Sequence, residues 1–159
     1  MAHMHYKGTG KFHSFRGQLT DAAGGNQRKI RIQGSVGAIA WRITKFQIMS
    51  NVTLSATATV DHVVKVWREE QSSVPTGSAV IDIEDDELLA VGVYAQGASL
   101  EYTQNIIFDN ALFVRNIWIT HTDNDGADSV NYYIELEEVK ISASGMAQLA
   151  VAAARRTIG

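Results

Sequence analysis

The sequence contains no cysteine, so it can build neither a disulfide framework nor a thiolate metal site, and it has no thiol nucleophile. It contains a single proline, Pro75, which sits between apolar segments and marks a loop. Its longest apolar run near either end, residues 146–154, falls far short of the roughly 20 residues that span a bilayer, so no membrane contact is expected. Residues 1–11 are polar and His-rich, without the charged segment, apolar stretch and small-residue cleavage site of an export signal. Export by the usual signal is therefore not expected, and the lack of cysteine is compatible with a reducing cytosol without fixing a compartment. At 159 residues and 45% hydrophobic, it is large enough for one domain with a sizeable core.

What fills the chain is alternation. Lys29-Ile30-Arg31-Ile32-Gln33 places two isoleucines on one face of a strand. Val52, Leu54, Ala56, Ala58 and Val60 hold one parity against Thr53, Ser55, Thr57 and Thr59, and residues 63–67 supply another strand. Ala79, Ile81 and Ile83 alternate with Val80, Asp82 and Glu84 before the acidic turn at Asp85-Asp86-Glu87. Residues 88–94 are almost continuously apolar, as suits a strand buried on both faces. Trp41 and Ile43 share a parity that Phe46 and Ile48 do not, which requires a bulge near Thr44-Lys45 if all four are to point inward. The same logic, applied to Tyr132, Ile134 and Leu136 against Val139 and Ile141, predicts a second bulge near Glu137-Glu138. The polar break at 122–126 reads as the turn of a hairpin returning through 130–141.

About eight or nine such segments, without long helices between them, specify an all-β fold: an antiparallel β-sandwich, jelly-roll-like, with a short C-terminal helix. An immunoglobulin-like sandwich is the competing topology, but its paired cysteines around a tryptophan are missing. Three parts are expected. Residues 1–28 form a glycine-rich basic arm, 29–142 the sandwich, and 143–159 a helical segment in which alanines, a Ser144 cap and the closing Arg155-Arg156 favour a helix.

The charge is uneven. Up to Arg31 six bases face Asp21 alone, while the remainder is acidic enough to bring the total to −3. A basic start on an acidic body admits contact with a phosphate backbone, contact with the acidic surface of a neighbouring copy, or simple solvation. Phe12 and Phe15 in the arm, and Met146, Leu149, Arg155 and Arg156 in the tail, are the candidate subunit-interface residues, since a short helix needs a surface on which to pack.

No pattern assembles a catalytic centre, and no cofactor or metal is called for. His3, His5 and His13 lack a companion carboxylate that would complete a tetrahedral set. Asp123-Asn124-Asp125-Gly126-Ala127-Asp128 carries hard oxygen ligands around a glycine, yet it misaligns with a calcium loop and is also the composition of a plain turn. Asp82, Glu84, Asp85, Asp86 and Glu87 could serve a hydrolase only if their acidities were separated, and lying side by side at a strand end gives them similar environments. Gly8-Thr9-Gly10-Lys11 is a fragment of a phosphate loop without its full glycine spacing. Trp41, Trp67 and Trp118, with Tyr94, Tyr102, Tyr132 and Tyr133, are either core residues or a stacking platform for a carbohydrate-binding module. His62 and His121, placed at strand edges, read as exposed or hydrogen-bonded structural groups.

The basic arm with Lys7, Lys11 and Arg16, the strand-rich body and the alanine-rich tail at 146–156 resemble, in overall layout, small virus and bacteriophage capsid and decoration proteins. The resemblance implies a jelly roll whose ends reach adjacent subunits. It also implies a non-enzymatic structural protein of the virion, assembled in the host cytoplasm, with copies of itself and other virion proteins as partners. The arm is only modestly basic, which departs from the members that package nucleic acid.

Overall fold

The computed structural model describes residues 8–32, 39–52, 59–74, 80–97, 101–108 and 111–141. Eight strands run through them: β1 (Gly8–Leu19), β2 (Gln27–Ile30), β3 (Ile39–Ser50), β4 (Val60–Trp67), β5 (Leu88–Gln96), β6 (Glu101–Ile107), β7 (Ile117–Asp123) and β8 (Val130–Lys140). Every strand pair is antiparallel, in a three-stranded sheet ordered β1-β8-β3 and a five-stranded sheet ordered β2-β7-β4-β5-β6. The two sheets pack face to face as a sandwich. The helical segment expected at 143–159 lies outside the described residues, as does most of the alternating run at 52–60.

The core follows from the parity of the strands. From the smaller sheet, Trp41, Ile43, Phe46 and Ile48 of β3 and Val130, Tyr132, Ile134 and Leu136 of β8 point inward. They meet Val64 and Val66 of β4, Ala90 and Tyr94 of β5 and Ile117 and Ile119 of β7. Each large aliphatic side chain so enclosed contributes on the order of 1.5–3 kcal/mol of burial. The bulge expected near Thr44-Lys45 is present: Ile43 pairs with Leu136 and Lys45 with Glu135, leaving Thr44 as the extra residue. As expected, residues 88–94 form a strand buried on both faces, β5.

Several expectations are corrected. The irregularity expected near Glu137-Glu138 lies in the pairing of β8 with β1, where the register shifts between Gly8 and Phe12, whereas the pairing of β8 with β3 is continuous from Lys140 to Leu136 and inserts no extra residue in β8. Val139 and Ile141 change parity because they are buried on the outer face of the sheet, in a small cluster with Ala40 covered by Leu112 and Val114. Trp41 and Phe113 hold that cover in place through reciprocal backbone hydrogen bonds of 2.8 and 2.9 Å. The 122–130 turn closes no hairpin, because β7 and β8 belong to different sheets and the chain crosses between them there. The alternation of Val80 to Glu84 forms no strand; Val80 and Ile83 are 75% and 61% exposed. Residues 8–19, read as an extended arm, are extended and hydrogen-bonded to β8, forming one edge of the smaller sheet.

Gly92 of β5 faces side chains of β3 in the opposing sheet. A Cβ there would lie 3.0 Å from Phe46 Cε1 and 3.1 Å from Ile48 Cδ1, both on the opposing β3. Gly92→Val should therefore overpack the inter-sheet space and destabilise the domain by about 1–3 kcal/mol. Chemical denaturation would read this as a lowered midpoint with an unchanged slope, and unaltered stability would show that the sheets can separate locally at no cost.

Candidate functional site

The most highly organised polar group joins four elements at one end of the sandwich. His62 on β4 and His121 on β7 are 0% and 1% exposed, and their rings approach to 2.7 Å between His62 Nδ1 and His121 Nε2. His121 Nδ1 lies 2.9 Å from the carbonyl oxygen of Thr20, just beyond β1. His62 Nε2 lies 2.9 Å from the hydroxyl of Ser50, the last residue of β3.

A carbonyl can only accept, so His121 donates from Nδ1 and presents Nε2 as an acceptor. His62 must then donate from Nδ1, and its Nε2 accepts the Ser50 hydroxyl. The chain runs Ser50 to His62 to His121 to Thr20 with both imidazoles neutral. The two histidines, expected at strand edges as exposed or hydrogen-bonded structural groups, are hydrogen-bonded and fully buried. Their parity, shared with Val60, Val64 and Val66 in one strand and with Ile117 and Ile119 in the other, was the available signal that they point inward.

The electrostatics agree with that assignment. Burial, aided by the neighbouring His121 and opposed by Asp123, lowers the pKa of His62 to about 4. Burial also lowers His121, against the Thr20 hydrogen bond and the carboxylates of Asp21 and Asp123. A hydroxyl hydrogen-bonded to an imidazole that is oriented by a third group is the arrangement of an activated serine. Here Ser50 is only 4% exposed and the rings behind it are enclosed, so the hydroxyl has no route to a substrate. The chain ties strand ends together.

Beside it, Asp123 is 1% exposed and its carboxylate accepts the amides of Asp61 (3.0 Å), Asp125 (3.1 Å) and Asp128 (3.0 Å). The amide of Asp123 in turn donates to Asp21 Oδ1 at 2.7 Å. The oxygen-rich 123–128 segment is thus a turn folded around its own first carboxylate. Among the described residues no group of three or more His, Asp or Glu is placed to hold a metal.

The other residues singled out in the sequence scatter. Phe15 faces the interior and packs on the core, while Phe12 is 52% exposed on the outward face of β1. Met146, Leu149, Arg155 and Arg156, with His3 and His5, lie outside the described residues. His13 packs edge-on against the buried Trp41, with ring centroids 4.9 Å apart. Tyr94 and Tyr132 are core residues; Trp67 and Trp118 stand half-buried on the outer face of the five-stranded sheet, beneath Lys65 and Lys29 respectively. The acidic residues 82–87 occupy turns at the surface. No protein-family model matches the sequence, and comparison with curated proteins gives no match either.

The histidine pair makes stability depend on acid. Both folded pKa values lie below the unfolded value of about 6.5, so below that pH the unfolded chain takes up protons that the folded chain refuses. Stability is therefore full above pH 6.5 and falls as pH drops towards about 4, by on the order of 3 kcal/mol for His62. Urea titrations between pH 7.5 and 5 should show a steeper loss for the native sequence than for His62→Gln. Parallel profiles would show that the pair does not carry this dependence.

Proposed function

We propose that this chain is a jelly-roll structural protein of a virion, a capsid or capsid-associated subunit that works through contacts with copies of itself and with other virion proteins. The observation that carries the proposal is the order of strand pairing. In an eight-stranded chain laid out as one long hairpin and then rolled up, strand one pairs with eight, two with seven, three with six and four with five. Here β1 pairs with β8, β2 with β7 and β4 with β5. The remaining couple, β3 and β6, approach each other closely although β6 takes its hydrogen bonds from β5. Rolled sandwiches of this kind are the common architecture of viral capsid domains and also of lectins.

Surface chemistry supports contact between subunits. Val80, Ile81 and Ile83 are exposed and interleaved with Asp82, Glu84, Asp85 and Asp86. Hydrogen bonds shape the strip: Asp82 and Asp85 carboxylates accept the amides of Glu84 and Glu87 at 3.0 Å, and the Lys65 ammonium donates to the carbonyl of Val80. Exposed aliphatic side chains there gain burial from a partner, and the acids between them favour a basic one. Lys29, Arg155 and Arg156 of another copy supply that charge.

Light scattering coupled to size-exclusion chromatography tests the proposal. The native chain should run as an oligomer, and Ile81→Ser with Ile83→Ser should shift it towards monomer without lowering its melting temperature. Deleting residues 1–27 is unsuitable because it removes all of β1 and the first residue of β2, whereas a chain ending at residue 144 leaves every strand intact. A native chain that stays strictly monomeric at high concentration would overturn the proposal.

A further inference from the structure

We propose that the outer face of the three-stranded sheet carries a binding site for an acidic saccharide, independent of the contacts that drive assembly. Across β1, β8 and β3 the register sets two neighbouring rows of side chains: Arg16, Tyr133 and Gln47 in one, Gln18, Asn131 and Met49 in the next. Rows two residues apart along a strand are separated by about 7 Å, and three strands span about 10 Å, so the six side chains form a compact patch. They line an open cleft of about 750 Å³, within the range of roughly 300–1,000 Å³ typical of small-ligand sites.

Part of that outer face is already occupied. Towards one end, Arg42 and Glu137 form an ion pair, and Ala40, Val139 and Ile141 are covered by the 111–114 segment. In the two rows, by contrast, the side chains stay accessible, with Met49 58% exposed.

The chemistry of the cleft selects its ligand. Gln18, Gln47 and Asn131 offer paired donors and acceptors of the kind that match vicinal hydroxyls, and the Gln18 amide donates to Asn131 Oδ1 at 3.1 Å, fixing both. The half-exposed Tyr133 ring supplies an apolar face with a polar tip, and Lys45 stands 5.8 Å from its centroid. No carboxylate lines the cleft, and Arg16 has no hydrogen-bond or ion-pair partner among the described residues. A guanidinium at the rim of a carboxamide-rich cleft favours a sugar bearing a carboxylate or sulfate, which it can hold by two parallel hydrogen bonds.

Binding is tested on the full-length chain by calorimetry with sialyllactose, a sulfated disaccharide and neutral lactose. Sialyllactose or the sulfated sugar should bind and lactose should bind at least about tenfold more weakly, since a charge-assisted bidentate contact is lost. Arg16→Ala and Tyr133→Ala should each weaken binding about tenfold or more, while Tyr133→Phe stays close to the native affinity. Both side chains point outward, so the melting temperatures of the three variants should match the native protein and separate loss of binding from loss of fold. Binding should also persist in the Ile81→Ser, Ile83→Ser chain, whose assembly is impaired. Failure of both acidic sugars to bind, equal affinity for lactose, or an unchanged affinity in Arg16→Ala would overturn the assignment.

Discussion

The one-residue offset at Thr44 governs both faces of the smaller sheet. Before it, Trp41 and Ile43 point into the sandwich; after it, Phe46 and Ile48 do, although the two pairs differ in parity. A strand without the extra residue would have to expose one pair, forfeiting several kcal/mol of burial. The same offset decides what faces water. Arg42 precedes it and meets Glu137, while Lys45, Gln47 and Met49 follow it and stand beside Glu135, Tyr133 and Asn131. Core packing and surface chemistry thus share a single backbone irregularity.

At the other end of β3 the constraint is polar. Ser50, His62, His121 and Thr20 belong to four separate elements, and each hydrogen bond between them satisfies a group that would otherwise be buried at a cost of several kcal/mol. The geometry permits only one arrangement of protons while both rings are neutral, so the chain specifies which strand ends meet as well as stabilising them. The amide of His121 donates to the Asn26 carbonyl and that of Asp123 to Asp21, which fixes the 20–26 connection between the sheets against β7. Apolar packing alone would set the distance between sheets; this polar set fixes how the strand ends align.

Much of the fold was legible in residue order because alternation reports burial directly. The two-parity pattern around Thr44 could be satisfied only by a bulge, and the unbroken apolar run of β5 only by cover on both sides. Legibility ended where a distant segment supplied the cover. Val139 and Ile141 are outward yet buried because 111–114 lies over them, and local parity cannot announce that. The turn at 122–130 has hairpin composition, but Asp123 folds it around its own carboxylate and β8 enters the opposite sheet. In Val80 to Glu84 alternation is present without any sheet to receive it. The polar site was least legible, since Arg16, Tyr133 and Gln47 lie far apart in sequence and become neighbours only through the register of β1, β8 and β3.

These two surfaces lie on opposite sides of the sandwich. Lys65 projects from the outer face of the five-stranded sheet and holds the Val80 carbonyl, so the apolar-acidic strip sits on that side. The carboxamide cleft lies on the outer face of the three-stranded sheet. The strip is acidic, whereas the side chains lining the cleft include Arg16 and no carboxylate, with Lys45 and Glu135 paired in the adjoining row. A subunit built this way can bury its strip against a neighbour while leaving the second face open, and acidic ligands are repelled from the one and attracted to the other. Association between copies and recognition of a charged sugar are therefore compatible in a single small sandwich, because the two sheets it needs for a core give it two outer faces to use differently.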